Sequence, residues 1–422
     1  TRKPNAEWTP LVVGRKNLYS AQAVNDRFYV YTNEGAPNYR ILEADPKKPA
    51  REDWKELIPE RKDAVIDAFD IVGRRIALGY VKDVVSEVQV FGLDGKKAYD
   101  VPLPAPGSAS SFVGREDDDE AYFAFESLVV PPEIHKISMK TGKTEVVYRT
   151  RVPVDPSRYT TEQVFATSRD GTRVPMFVLA PKDLPRDGKA PALLNAYGGF
   201  SVVVGPKFST MAYPWLERGG VYAVANLRGG GEYGETWHQA GMRHKKQNVF
   251  DDFIASAEFL IQKGYTRPDE LVIHGRSNGG LLVGAAMTQR PDLFRAVLCG
   301  VPLLDMVRYH LFGSGKTWIE EYGSADDAED FKTLYAYSPY HHVKEGTRYP
   351  SLLLLTADSD DRVDPMHARK FGALVQRAST GGPVLLRVEK NSGHGGADKV
   401  ESLVNERADA YAFAFAELAK AP

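Results

Sequence analysis

ELVIHGRSNGGLLVGA, residues 270–285, is the stretch on which the fold turns. Leu271 to His274 read as a short apolar strand, and the run from Leu281 reads as a helix. Between them stands Gly275-Arg276-Ser277-Asn278-Gly279-Gly280, a G-x-S-x-G segment in a strand-to-helix turn. A serine so placed is a nucleophile elbow. The reason is steric. The turn is strained, and Gly275 and Gly279 let chain segments approach without a Cβ clash. Ser277 is then pushed clear of the sheet, at a helix N-terminus whose amides favour developing negative charge. A glycine-rich turn with an incidental serine has the same letters. The strand before it and the helix after it decide for the elbow.

Working outward, the same alternation continues. Apolar strand-like runs lie at PALLNAY (191–197), VYAVANL (221–227), AVLCGV (296–301), PSLLLLTA (350–357) and PVLLRVE (383–389). Helical periodicity lies between them. In Val249–Lys263, Phe250, Phe253, Ile254, Ala257 and Ile261 share one stripe, and Gly264 stops the helix. Leu281–Arg290, His367–Ala378 and Val400–Ala419 also read as helices. Buried strands alternating with helices predict a mostly parallel sheet covered by helices on both faces, an α/β-hydrolase domain over residues 151–422.

A serine hydroxyl is a poor nucleophile until a base takes its proton. In this fold the partners follow in the order serine, acid, histidine. PSLLLLTA runs into Asp358-Ser359-Asp360-Asp361-Arg362, and PVLLRVE runs into Asn391-Ser392-Gly393-His394-Gly395-Gly396. Both lie just past the carboxyl ends of strands, where open α/β sheets place their sites. His394 is the candidate general base, with an aspartate to fix its tautomer. Spacing alone does not separate Asp360 from Asp361.

Other polar groups fit blander roles. His341 and His342 lack a third zinc ligand at suitable spacing and read as loop histidines. His238 and His310 read as satisfied polar residues near the site. Gly229-Gly230-Gly231 has no following Gly-Lys-Ser/Thr, which argues against a phosphate cradle. Cys299 sits in an apolar strand as a small hydrophobe. Asp117-Asp118-Asp119-Glu120 reads as a solvated acidic turn. Arg243-His244-Lys245-Lys246, facing Asp251 and Asp252, reads as a surface charge network.

Before residue 150 the character changes. Arg27–Pro59, Gly73–Pro104 and Glu120–Thr150 each hold a strand (FYVYT, IALGY, YFAFE) followed by two more. Phe28, Ile76 and Phe123 set a repeat of about 47 residues, the period of propeller blades with about four strands each. The period favours a propeller over a plain antiparallel sandwich. Residues 1–150 are thus expected to be about three blades. Propellers need typically 4–8 blades to close, so the remaining blades are expected from a missing N-terminal part or a separate chain.

Composition narrows the function. The 422 residues carry 54 Lys+Arg against 56 Asp+Glu, a net charge of −2, which argues against a dedicated nucleic-acid binder. A hydrophobic share of 43% and a charged share of 26% are ordinary globular usage. Cys299 is the single cysteine, so no internal disulfide forms. That suits a reducing compartment without requiring one. No apolar run approaches the roughly 18 residues of a membrane span. The chain starts Thr1-Arg2-Lys3, with neither an initiator Met nor an apolar signal core, so processing or truncation is expected to have removed what preceded it. Localisation stays open between cytoplasm and periplasm. No cofactor or metal is expected.

With these motifs assembled, the chain resembles the prolyl oligopeptidase family of serine peptidases. The matching stretches are DGTRVPMFV, YGGF, NLRGGGEYGETWH, KKQNVFDDFIASAEFLI, GRSNGGLLVGA, TQRPDLF, YSPYHHV, TADSDDRV and SGHGG, with NEGAP and ELIPE in the first part. The resemblance implies a seven-bladed propeller capping an α/β-hydrolase domain. It implies cleavage of short peptides on the carboxyl side of proline. It assigns Ser277 as nucleophile, His394 as base and Asp360, the first Asp of DDRV, as the orienting acid. It assigns the oxyanion hole to Tyr197 of YGGF and the amide of Asn278. It places Trp318, Tyr322, Phe200 and Val363 around the proline ring and Arg362 on a substrate carbonyl. An aromatic wall suits such a ring, since a five-membered apolar ring gains from a flat face.

The sequence departs from the family pattern at three points. Ser359 stands where His is frequent, Arg276 where Gly is frequent, and the Gly-Lys-Pro that often follows the catalytic His is absent. Two further readings stay open. A basic-residue-specific oligopeptidase is suggested by Glu320, though such relatives carry an acid where Trp318 stands. An esterase or lipase uses the same hydrolase fold, but the propeller-like region argues against it.

Overall fold

The computed structural model describes residues 9–395 and 400–420, so Thr1, Arg2, Lys3 and Gly396 lie outside the described residues. The chain forms two compact units. One runs to Ser127 and adds Pro132–Thr150 and Tyr233–Glu235. The other holds Leu128–Pro131, Arg151–Glu232 and the chain from Thr236 on.

The first unit is built of three antiparallel sheets. The first orders β1 (Tyr19–Val24), β2 (Arg27–Thr32), β3 (Arg40–Ala44) and β4 (Lys55–Ile58) as a meander. The second does the same with β5 (Val65–Val72), β6 (Arg75–Lys82), β7 (Val85–Gly92) and β8 (Lys97–Val101). In the third, the short β9 (Ser108–Ala109) and β10 (Val113–Gly114) both pair with β11 (Glu120–Glu126), followed by β12 (Glu133–Ser138) and β13 (Thr144–Arg149). The first two sheets therefore each have one more strand at their start than the three read from sequence, and the third has two more, β9 and β10.

Local chemistry explains the tight turns. Asn25-Asp26, Gly73-Arg74 and Asp83-Val84 all have positive φ at both positions, the twist that lets two-residue hairpins match their strands. Side chains from the first two sheets, among them Tyr29, Tyr39, Ile41, Ile66, Ile76, Leu78 and Tyr80, share one apolar cluster. Tyr31 stacks on Tyr39 at 4.5 Å between ring centroids.

The second unit carries one eight-stranded sheet. Its strands are β14 (Tyr159–Thr167), β15 (Arg173–Pro181), β16 (Ala192–Ala196), β17 (Val221–Ala225), β18 (Leu271–Arg276), β19 (Ala296–Gly300), β20 (Ser351–Ala357) and β21 (Val384–Glu389). Their order is β14-β15-β17-β16-β18-β19-β20-β21. From β17 to β21 all pairs are parallel, while β14 and β15 join antiparallel. Both strands lie outside the runs predicted from sequence: Tyr159–Thr167 is polar and half-exposed along much of its length, whereas Arg173–Pro181 is apolar and buried almost throughout. The helices are α1 (Tyr213–Leu216), α2 (Glu235–Gln239), α3 (Gln247–Gln262), α4 (Asn278–Gln289), α5 (Ile319–Tyr322), α6 (Ala328–Tyr337), α7 (Met366–Ala378) and α8 (Val400–Leu418).

Parallel strands covered on both faces should be apolar throughout, and β18, β19 and β20 are buried almost end to end. Leu194, Ile273, Val297 and Leu354 belong to one core with Phe250 and Phe253 of α3 and Phe371 of α7. The last strand is an exception. Pro383–Glu389 reads as a buried run, yet Leu385 and Leu386 of β21 are 48% and 40% exposed. At the end of a sheet, neighbouring strand and helix cover come from one flank only. Among the described residues no helix is long and apolar enough to cross a membrane.

The turn between β18 and α4 is as tight as the sequence requires. Ser277 sits at φ 57 and ψ −118, sparsely populated values for a residue with a side chain. A Cβ on Gly275 would lie 2.0 Å from the carbonyl oxygen of Gly279. Gly275→Ala is therefore expected to lose about 3 kcal/mol or more, the upper end of overpacking penalties. A denaturant titration with the wild-type midpoint would contradict this account of the turn.

Candidate active site

Ser277 is fixed through its backbone. Its amide donates to Gly300 O at 2.9 Å, and its carbonyl accepts from the amides of Gly280 (2.9 Å) and Leu281 (3.1 Å). Asn278 is the first residue of α4, so its amide has no acceptor within the helix and is available to an incoming anion.

The candidate acid and base come from loops after β20 and β21. Asp360 is buried, and its Oδ1 accepts the amides of Arg362 (3.0 Å) and Val363 (2.9 Å). Its Oδ2 stands 2.8 Å from His394 Nδ1. Of the two adjacent acids, the structure brings Asp360 to the imidazole and leaves Asp361 exposed. A proton on Nδ1, donated to Asp360, leaves the lone pair on Nε2. No hydrogen bond joins Ser277 to His394 among the described residues. Catalytic hydrogen bonds of unliganded sites are often long and tighten when substrate binds.

The turn after β16 carries Tyr197, Gly198, Gly199 and Phe200. The Tyr197 phenol has a side-chain contact with Ser277. Burial pushes its pKa up, with nearby Arg362 pulling the other way, so Tyr197 remains a protonated hydrogen-bond donor at neutral pH. Gly229 explains the triple glycine. It sits at φ +88, and a Cβ there would fall 2.9 Å from Gly198 O. The Gly229 carbonyl also accepts the amide of Ser201 at 3.0 Å. The glycines thus let one backbone lie against the turn of Tyr197.

The pocket candidates divide by burial. Phe200 meets Tyr322 edge to face, 5.6 Å between centroids. Tyr322 is 1% exposed, and its hydroxyl donates to Asn278 Oδ1 at 2.9 Å. Asn278 Nδ2 in turn donates to Tyr197 O at 2.6 Å. Val363 is also buried, whereas Trp318 is partly buried against the core. Arg362 is exposed, and its guanidinium has no ion-pair partner among the described residues. A surface cleft bordered by Arg295, Arg348 and Glu417 lies at the amino ends of β19 and β20, away from this chemistry.

One reading of the sequence changes here. Arg243–Lys246 is not a surface network with Asp251 and Asp252. Lys246 is buried beside Glu321, Arg243 pairs with Asp330, and Asp252 is buried against Arg228. The charged run is one helical turn leading into α3, so its side chains fan out in different directions. Glu321, which the sequence reading did not single out, is buried beside the turn of Tyr197. Burial alone would raise its pKa, but hydrogen bonding to His238 and the nearness of Lys246 outweigh it and hold the carboxyl below its usual range. Its only sequence signal is its place inside Trp318–Tyr322, which the more exposed Glu320 shares.

Other polar groups singled out from the sequence find partners, while neither ring nitrogen of buried His310 makes a hydrogen bond among the described residues. Arg276 reaches α8, with Nη1 at 2.6 Å from Glu406 Oε1. Ser359 donates to Asp358 at 3.0 Å. His341 stands 2.8 Å from Ser338 Oγ, and His342 stands 2.7 Å from Tyr335 O. Cys299 is buried, which pushes its thiol pKa up and keeps it protonated. Among the described residues no group of three or more His, Cys, Asp or Glu is arranged to hold a metal ion.

The chain is similar to known proteins along most of its length. Residues 206–421 match the profile of the prolyl oligopeptidase family, and residues 1–150 match that of its N-terminal β-propeller domain. A prolyl endopeptidase of Elizabethkingia miricola is 42% identical over 419 residues, covering 99% of this chain and 59% of the relative. A solved prolyl endopeptidase structure superposes with a TM-score of 0.95 at 57% identity, over 97% of this chain and 60% of the other. Prolyl oligopeptidase B of Galerina marginata, solved with a 35-residue hydrolysis and macrocyclization substrate, has a TM-score of 0.92 at 31% identity, over 98% and 59%. The chain spans about three fifths of the length of the relatives it matches.

Proposed function

Because the chain belongs to the prolyl oligopeptidase family, we propose that it acts as a serine endopeptidase cleaving short peptides on the carboxyl side of proline. In this reading residues 1–150 are C-terminal propeller blades and residues 151–422 the catalytic domain. The observation that carries the chemistry is the 2.8 Å contact between buried Asp360 and His394 Nδ1. It leaves Nε2 ready to take a proton from Ser277, which its turn holds out at the carboxyl end of the parallel strands.

Ser277 Oγ attacks the carbonyl carbon after proline and passes its proton to His394 Nε2. Asp360 stabilises the imidazolium. The oxygen that becomes negative lies between the Tyr197 hydroxyl and the Asn278 amide. Each such donor is worth roughly 3–4 kcal/mol in known acyl-transfer sites. His394 then protonates the leaving amine. Water, activated by the same imidazole, releases the acyl group from Ser277.

Proline preference rests on Trp318 and Phe200 offering aromatic faces to the ring. Glu321, the buried acid of this stretch, is engaged by Lys246, His238 and the Phe200 amide, whereas Glu320, the acid that suggested basic specificity, is exposed. The deciding assay compares kcat/KM on Gly-Pro and Arg reporter peptides. Preference for Arg sinks the proline reading. Trp318→Ala is expected to reduce discrimination between proline and alanine substrates by about tenfold, near 1.4 kcal/mol, within the range for apolar pocket contacts. An unchanged ratio would place the pocket elsewhere.

A further inference from the structure

Two buried charged side chains that the proposed reaction does not use converge on the turn carrying Tyr197. Lys246, 1% exposed, donates from Nζ to Gly198 O at 3.0 Å and stands 3.5 Å from Glu321 Oε1. Glu321 Oε1 also accepts the amide of Phe200 at 3.1 Å, and its Oε2 meets His238 Nε2 at 2.8 Å. With Asn278 on the Tyr197 carbonyl, three of the four residues of this turn are tied down by side chains from separate segments. The turn needs such restraint. Phe200 and Ser201 have φ of 58 and 55, and strained backbone persists only where its surroundings over-determine it.

Stability does not account for the charges. Removing an ion pair from water is costly, and apolar groups of similar volume often serve as well or better. What the pair supplies is direction, with one donor and one acceptor fixed on a carbonyl and an amide that flank Gly199. We propose that Lys246 and Glu321 are positioning residues of the oxyanion site, holding the Tyr197–Phe200 turn so that the Tyr197 phenol faces the oxygen of the carbonyl under attack. His238 orients Glu321 from its far side. This assignment rests on the reading of Ser277 and Tyr197 given above.

The test replaces the pair by uncharged groups of similar size, Lys246→Met with Glu321→Gln, in the intact protein. Four constants are measured: kcat and KM on a prolyl reporter, and the inhibition constants of a peptidyl-prolinal and of the matching prolinol. The aldehyde generates an oxyanion on reaction with the serine, and the alcohol does not. The melting temperature should be retained. Both kcat and prolinal affinity should fall by about 10- to 100-fold, the scale of a displaced catalytic group, with KM and prolinol affinity within about threefold. Glu321→Asp keeps the charge but shortens the reach. It should show the same split and serves if the double variant fails to fold. Unchanged kcat and prolinal affinity in a folded variant overturn the assignment. So does an equal loss of prolinal and prolinol affinity, which would make the pair a support of the proline pocket. Wild-type protein that neither binds prolinal nor turns over peptide sinks the peptidase reading itself.

Discussion

Ser277→Ala is expected to lower kcat on a prolyl reporter by about a millionfold, to the level left by binding and the oxyanion donors alone. The variant removes the oxygen proposed to form the acyl bond. It should fold normally, because the backbone contacts of Ser277 to Gly300, Gly280 and Leu281 do not involve the hydroxyl. Alanine also relieves no strain, since any Cβ at φ 57 meets the same backbone. The check is single-turnover kinetics beside a thermal melt. Activity near wild type in the folded variant would remove Ser277 from the mechanism.

Asp360→Asn is expected to cost about 10⁴-fold in kcat with the fold intact. The structure shows why the change is severe. The Asn amide oxygen would take the place of Asp360 Oδ1, which accepts from Arg362 and Val363. Its NH₂ would then face His394 Nδ1. Two donors cannot share that contact, so the imidazole proton moves to Nε2, where it blocks acceptance of the serine proton. Asp361→Asn is the control and should stay within about threefold, since Asp361 is exposed. If the two variants lose activity equally, the neighbouring acids are not distinguished as the 2.8 Å contact to His394 implies.

The parts of the site that were legible in the sequence are those governed by short-range rules. G-x-S-x-G between a strand and a helix demands the turn observed at Ser277, because the close contact of Gly275 with Gly279 arises within a few residues. Likewise the apolar runs of β16 to β20 are legible because strands covered on both faces must be apolar. The antiparallel strand β14 was not legible. Its polar, partly exposed face gives no run to detect, although its pairing with β15 is a local hairpin closed at Thr167 and Arg173.

The charged residues divide in the same way. Lys246 stands in a basic run, and nothing in that run marks it as the member that turns inward toward Glu321, a residue 75 positions away. Arg276, beside the nucleophile, finds its partner Glu406 at a separation of 130. Such pairings depend on where distant segments pass, and residue type leaves that open.

By itself the sequence determined the elbow at Ser277, the order serine, acid, histidine along the chain, and the repeating strands before residue 150, since each follows from sterics or periodicity among near neighbours. Among adjacent acids that spacing does not separate, the tertiary structure shows Asp360 meeting His394, as the resemblance had assigned, and it alone shows Lys246 and Glu321 buried beneath the turn of Tyr197. Adjacent carboxylates are chemically alike, and the path of the backbone between β20 and α7 determines which one points inward.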